Sequence, residues 1–274
     1  MSRCREQRWH RKHQAWTTPR QLFDHTRAEV TPIPEQLARS FILSHHYATS
    51  YPAARARYGL WQRKHRHAPA QLVGVAVFSQ PMQSRCAGAY FEGATQRQVV
   101  ELGRFCLLDS AEFNAESWFL GRAFAQLRKD KPEVVGVLSY SDPVPRQLPS
   151  GGTIQPGHIG TIYQAHNGRH VGRSSPRTLI RTRGWHVVSS RTLSKLRQDD
   201  RGAAGAYEQL RRLGAPRRNP GESGAAYVTR ALASSTFIRT RHPGNLAYTW
   251  ALRRSARNRQ RLALPYPTAA QLAA

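Results

Sequence analysis

"RQVVELGRFCLLDSAEFNAESWFLGRAFAQLRKDKPEVVGVLSYSDP", Arg97–Pro143, sets two Val-rich runs on either side of a segment with helical spacing. The runs "RQVVELGRFCLLD" (97–109) and "PEVVGVLSYSDP" (132–143) are short, rich in β-branched residues and closed by Asp or Pro, as buried strands are. Between them, "NAESWFLGRAFAQLRKD" (114–130) repeats apolar Trp118, Phe119, Ala123 and Phe124 near helical spacing, with Asn114 at the N-cap position. Strand, helix and strand in this length predict a parallel or mixed sheet with the helix on one face. Ligands of such sheets bind beyond the carboxyl ends of strands. Asp109–Ser117 and Ser139–Asp142 occupy such ends.

Working outward, "QLVGVAVFSQP" (71–81) reads as a further buried strand. "PEQLARSFILSHHYATS" reads as a helix entered at Pro34, with Leu37, Phe41, Ile42 and Leu43 on one side and Ser44, His45, His46 and Tyr47 delivered at its end. Beyond Pro143 the pattern is less regular: a short strand within 177–190, helices over 203–215 and 223–235, then a strand and a basic tract. The first thirty residues mix basic side chains with Trp9 and Trp16 and read as a solvated tail, ended by "TPIP" at 31–34. The expected class is α+β (α/β), a central mixed sheet flanked by helices. The expected division is a basic N-terminal tail over 1–30, a core over 31–190 and a basic C-terminal extension over 191–274 packed on that core.

Charge narrows the partner. The 274 residues hold 42 Lys and Arg against 16 Asp and Glu, a formal net charge of +26. An excess of this size suits a polyanion, either nucleic acid or an anionic membrane surface. No apolar run approaches the roughly 20 residues that span a bilayer, so a soluble cytoplasmic protein without a membrane partner is expected. Arg dominates the positive charge, and its planar fork donates paired hydrogen bonds to phosphate, which favours DNA or RNA. The three cysteines are odd in number and form no CxxC pair, so they read as plain thiols in a reducing compartment.

Several chemistries can be weighed on the residues alone. His45 and His46 are neighbours on a helix and point about 100° apart, so one of them at most faces a given site. Ser139 or Ser141 with Asp142 and His158 would make a hydrolase set, but no G-x-S-x-G elbow is present. "LPSGGTIQPGHIG" lacks the Lys and the following helix of a nucleotide-binding loop. His158, Tyr163 and His166 could serve packing, or could join His and Asp donors around a transition metal; spacing leaves both open. Arg104 inside an apolar strand needs a partner, either a carboxylate such as Glu101 or Asp142 or a bound phosphate.

Taken together, "SHHY" (44–47), "ELGRFCLLD" (101–109), "NAESWFLGRAF" (114–124), "VLSYSDP" (137–143), "GHIGTIYQAHN" (157–167) with "GRS" (172–174), and "LPYP" (264–267) resemble the Mom family of phage DNA-modification proteins. The resemblance spans roughly residues 35 to 267 in one order along the chain. It implies a GNAT-like, acetyltransferase-type fold and a transferase that converts adenine in double-stranded DNA to N6-(carbamoylmethyl)adenine, which shields phage DNA from restriction. Carried over residue by residue, it implies catalytic roles for His46, Tyr47, Asp142 and Tyr163, the same four as ligands of an iron ion, and cofactor contacts to acetyl-CoA from Arg104, Asn114 and Ser117. It also implies a homodimer. Where acetyltransferases carry a glycine-rich diphosphate loop, this chain has "DSAEFNAESW". The rival expectations are an acyl-CoA-dependent N-acyltransferase acting on an amine outside DNA, and a noncatalytic basic nucleic-acid-binding protein.

Overall fold

The computed structural model describes residues 6–10, 13–17, 22–48, 50–155 and 157–268, with only the backbone described for 6–10 and 13–17. In chain order the elements are β1 (Glu6–His10), β2 (His13–Thr17), β3 (Ala28–Pro32), α1 (Glu35–His45), β4 (Ala54–Gln62), β5 (Gln71–Ser79), α2 (Cys86–Tyr90), β6 (Val99–Leu107), α3 (Ala115–Asp130) and β7 (Gly136–Ser141). There follow β8 (Arg146–Gln147), β9 (Thr153–Gln155), α4 (Thr161–Ala165), β10 (Arg169–Arg173), β11 (Arg177–Arg181), α5 (Ser190–Arg197), α6 (Ala203–Arg212), α7 (Gly224–Leu232), β12 (Ile238–His242) and β13 (Leu246–Ala251). The chain divides into two compact units. The first comprises Met1–Pro145, Gln155–Ser174 and Asn245–Ala274, and the second Arg146–Ile154 and Ser175–Gly244.

The first unit is built on a seven-stranded sheet in the order β10-β13-β7-β6-β5-β4-β3. Every neighbouring pair is antiparallel except β6 and β7, which are parallel and joined by α3, so the strand, helix and strand of 97–143 form as expected. One face carries α3 and α4, where Phe119, Leu120 and Phe124 pack with Val100, Leu102 and Val137. On the opposite face α1 sets Phe41 and Ile42 against Val75, Val77 and Cys106, and α2 sets Phe91 against Val99 and Leu138. Central strands covered on both faces must be apolar at every position, which is why β5 is a continuous hydrophobic run rather than an alternating one.

The observed boundaries depart from the expected ones. Residues 1–30 are not a plain tail, because β1 and β2 pair as an antiparallel hairpin and β3, which begins at Ala28, forms the sheet edge. Nor is 191–274 an appended extension. Its last strand, β13, lies between β10 and β7, with Leu246, Tyr248 and Trp250 in the α3-side core and Ala247 in the opposite one. The boundary at 190 falls inside the second unit, whose larger segment, Ser175–Gly244, is inserted between β10 and β13 and holds its own core of Leu193, Leu196, Leu210, Tyr227 and Val228.

Two irregularities in β6 prepare the site. The register shifts there, so that Phe78 faces Leu102 while the adjacent Val77 faces Arg104, leaving Gly103 as the extra residue of a bulge. Residues three apart on a regular strand point to opposite faces, and the bulge turns Glu101 and Arg104 to the same one. A Cβ at Gly103 would lie 2.6 Å from Ser79 Oγ. Gly103→Ala is therefore expected to cost about 1–3 kcal/mol through overpacking, read as a lower midpoint in urea denaturation.

The second irregularity is a divergence. The parallel pairing of β6 with β7 ends at Glu101 and Leu138, although β6 runs on to Leu107 and β7 to Ser141. The strands open towards their carboxyl ends, and the Ser139 hydroxyl reaches across the gap to donate to Leu102 O at 3.1 Å.

Candidate functional site

Four segments converge on that opening. α1 ends against the β5 and β6 side chains, and its C-cap His46 turns back so that His46 Nδ1 accepts from Ala48 N–H at 2.9 Å. His46 is buried and lies against the Tyr47 ring, with centroids 4.2 Å apart. His45, its neighbour, packs on Phe41 instead, so only one of the pair faces the site. Burial pushes the His46 imidazole down to about 3, helped by the Arg104 charge and by the neighbouring His158. It is a neutral imidazole at physiological pH.

Arg104, carried by the bulged strand, donates to Ser50 O from Nε (3.1 Å) and Nη2 (2.9 Å), to Ser50 Oγ at 3.0 Å and to Gly103 O at 2.6 Å. It thus fastens the segment after α1 to β6. Burial lowers its pKa, opposed by Tyr47, Glu101 and Tyr163 around it. Glu101 on the same face is largely buried, and burial pushes its carboxyl up to about 7, opposed by the Arg104 charge. A carboxyl held near neutrality can both take and give a proton.

β7 ends in Asp142, which is buried and whose Oδ1 accepts from Val144 N–H at 3.0 Å. The chain returns at His158, whose N–H donates to Asp142 O at 2.8 Å. Gly157 makes this return possible, for its φ is +71° and a Cβ there would meet Pro143 O at 2.6 Å. Burial drives the His158 imidazole down to about 4, against the pull of the Asp142 carboxylate. The next residues form α4, whose Tyr163 ring lies 6.4 Å from the His158 ring. Tyr163 is buried and hydrogen-bonded to Ser139, and burial raises its pKa. "LPYP" braces this wall: Leu264 N–H donates to His170 O, His170 Nδ1 pairs with Pro265 O at 2.8 Å, and Gln164 Nε2 donates to Pro267 O.

Arg104 is therefore in electrostatic reach of His46, Tyr47, Glu101 and Tyr163, and His158 lies in reach of both His46 and Asp142. Asn114 and Ser117 lie at the start of α3. Asn114 is the N-cap of α3, as expected, with left-handed backbone (φ of 69°) and no side-chain capping bond. Two residues gain weight that spacing could not give them. The sequence offered Glu101 as a carboxylate partner for Arg104 and His158 as a possible companion of Asp142, without placing either among the site residues.

The implied groups can be tested against these residues. Coenzyme A would need a donor-rich cradle for its diphosphate before α3. The loop 109–117 instead carries Asp109, Glu112 and Glu116 and no Lys or Arg. Glu112 is bound by Arg27 Nη2 at 2.9 Å and by Asp24 N–H at 2.9 Å, and Phe113 O accepts from Phe23 N–H. Three carboxylates and bulky side chains in place of glycines do not fit a diphosphate. Iron fares no better: among the described residues no three His, Cys, Asp or Glu side chains are grouped as a metal ion requires. The expected four-residue iron site is not supported.

No curated protein matches the chain. Among solved structures, a tandem GNAT protein from the clavulanic acid biosynthesis pathway, without AcCoA, is 10% identical at a TM-score of 0.38, covering 82% of this chain and 99% of its own, a likeness that carries no argument. Among the described residues no helix is long and apolar enough to cross a membrane. The sequence model of the Mom protein family matches residues 27–214, which takes in every site residue named above and leaves "LPYP" outside; the match covers more than half of the chain, and the protein belongs to the Mom protein family.

Proposed function

We propose that this protein is a transferase that modifies adenine in double-stranded phage DNA to N6-(carbamoylmethyl)adenine and so protects that DNA from restriction. The observation that carries the reading is the meeting of His46, Glu101, Arg104, Asp142 and His158 where the central strands β6 and β7 diverge, in a chain of the Mom family with a net charge of +26.

The chemistry asks for what these residues can supply. The exocyclic amine of adenine is a weak nucleophile because its lone pair is delocalised into the ring, so a positioned base must assist it. The base must also leave the helical stack for the amine to be reached. In this reading the Asp142 carboxylate accepts a hydrogen bond from the amine and orients it. The carbon comes from a carbamoylmethyl donor bearing a leaving group on its methylene: as the adenine N–CH2 bond forms, the bond from that carbon to the leaving group breaks and the leaving group departs with the electron pair, while the amine proton passes to Glu101, whose pKa of about 7 leaves a useful fraction ionised. Arg104 holds positive charge beside the departing anion. His46 and His158, both neutral, offer hydrogen bonds without repelling a cation. Tyr47 provides a partly exposed ring for stacking on the extruded base.

Nucleoside mass spectrometry on DNA from cells making the protein tests this. Deoxyadenosine carrying one carbamoylmethyl group is the expected product. Unmodified deoxyadenosine alongside soluble, folded protein would refute the assignment.

A further inference from the structure

The second unit has no part in the chemistry above, yet its charge is the more lopsided of the two units. Residues 146–154 and 175–244 hold fifteen Lys and Arg against four Asp and Glu, a net +11 of the chain's +26. Fourteen of the fifteen are Arg, and Lys195 is the single Lys. Two of the four carboxylates are already engaged: Asp199 pairs with Arg218 at 2.8 Å and Glu222 with Arg230 at 2.7 Å. Those pairs tie the loops around α7 together.

Their placement is regular. β11 and β12 form a two-stranded antiparallel ribbon in which Thr178 stands opposite Arg241 and Ile180 opposite Arg239. Arg239 and Arg241, two residues apart, therefore share a face, and both are exposed. α5, "SRTLSKLR", contains no acidic residue; it buries Leu193 and Leu196 and exposes Arg191 and Arg197. A two-stranded ribbon is of a size that the major groove admits, and Arg rather than Lys suits directed bonds to phosphate oxygens.

We infer that the inserted unit is the duplex-holding surface of this protein, gripping the DNA phosphate backbone through Arg239 and Arg241 of the ribbon and Arg191 and Arg197 of α5. The inference rests on the proposed DNA substrate and adds which surface holds it. The arginines lie outside the Leu193–Val228 core, so their replacement leaves the unit folded, as circular dichroism would verify.

The test is duplex binding by fluorescence anisotropy across a salt series, using the full chain and an unmodified 25-base-pair DNA. The variant Arg191→Gln, Arg197→Gln, Arg239→Gln and Arg241→Gln is compared with a control bearing Lys64→Gln, Arg66→Gln, Arg128→Gln and Lys129→Gln, four exposed cations of the first unit. With about 0.9 of slope per phosphate contact, the log–log salt slope should become shallower by about 3–4 in the first variant. Its affinity at 0.15 M salt should fall at least tenfold, with little change in the control. An unchanged slope in the first variant, or an equal loss in the control, overturns the assignment. So does binding to anionic phospholipid vesicles that outcompetes binding to the duplex. Binding is read without modification, so a parent protein that grips DNA with the expected slope but yields no altered nucleoside refutes the chemistry and leaves this surface standing.

Discussion

Asp142→Asn should lower adenine modification by about 10²–10⁴ while duplex binding is kept. The substitution keeps an oxygen that can accept from Val144 N–H, now at 3.0 Å from Oδ1, so the turn after β7 survives. What it removes is the negative charge that orients the adenine amine and supports His158. That second effect gives a readout independent of turnover. The His158 imidazole already titrates near 4 because burial outweighs the pull of Asp142, and without the carboxylate it should titrate lower still by NMR. Normal modification by Asp142→Asn would remove this residue from the mechanism; an unmoved His158 titration would remove the coupling.

Glu101→Gln should lower modification by a similar factor, about 10²–10⁴, and should abolish a rise in rate with pH centred near 7. In the parent, the carboxyl becomes a competent base only as it ionises, and burial sets that point at about 7. A Glu101→Gln enzyme with an unaltered pH–rate profile would assign the proton to another group. Stability should report the same carboxyl with opposite sign to the histidines. Glu101 holds its proton to about 7 in the fold against an ordinary 4.5, so its contribution is complete below 4.5 and is lost as pH rises through 7. His46 and His158 resist protonation down to about 3 and about 4 against an ordinary 6.5, so their contribution is complete above 6.5 and is lost as pH falls. Between 4.5 and 6.5 two groups oppose one. The parent should lose stability on acidification, and Glu101→Gln should lose it more steeply, by about 1.4 kcal/mol per pH unit for the proton no longer taken up. Urea denaturation across this range measures both slopes.

Much of the architecture was legible in the residues. The Val-rich runs on either side of 114–130 mark β6 and β7, as another such run marks β5, because strands covered on both faces are largely apolar, and helical spacing of apolar residues marks α1 and α3. Strand order is a different kind of property. That β13 inserts between β10 and β7, making the expected extension part of the sheet, follows from long-range pairing that no local pattern encodes. Nor did local signals mark the second unit as a separate body, since its helices and ribbon become one only through a shared core.

The site divides along the same line. The sequence by itself determined which side chains were available: His46, Tyr47, Arg104, Asp142 and Tyr163 all stand in short motifs, and the charge of +26 pointed to a polyanion. Only the tertiary structure decided what those side chains are. A bulge at Gly103 turns Glu101 to the face of Arg104, and burial raises its carboxyl towards neutrality. The return at Gly157 carries His158 to Asp142, and the acidic loop before α3 is closed by Arg27, 85 residues away in sequence. Proton affinity depends on desolvation and on charges a few ångströms away, and those neighbours come from residues far apart along the chain.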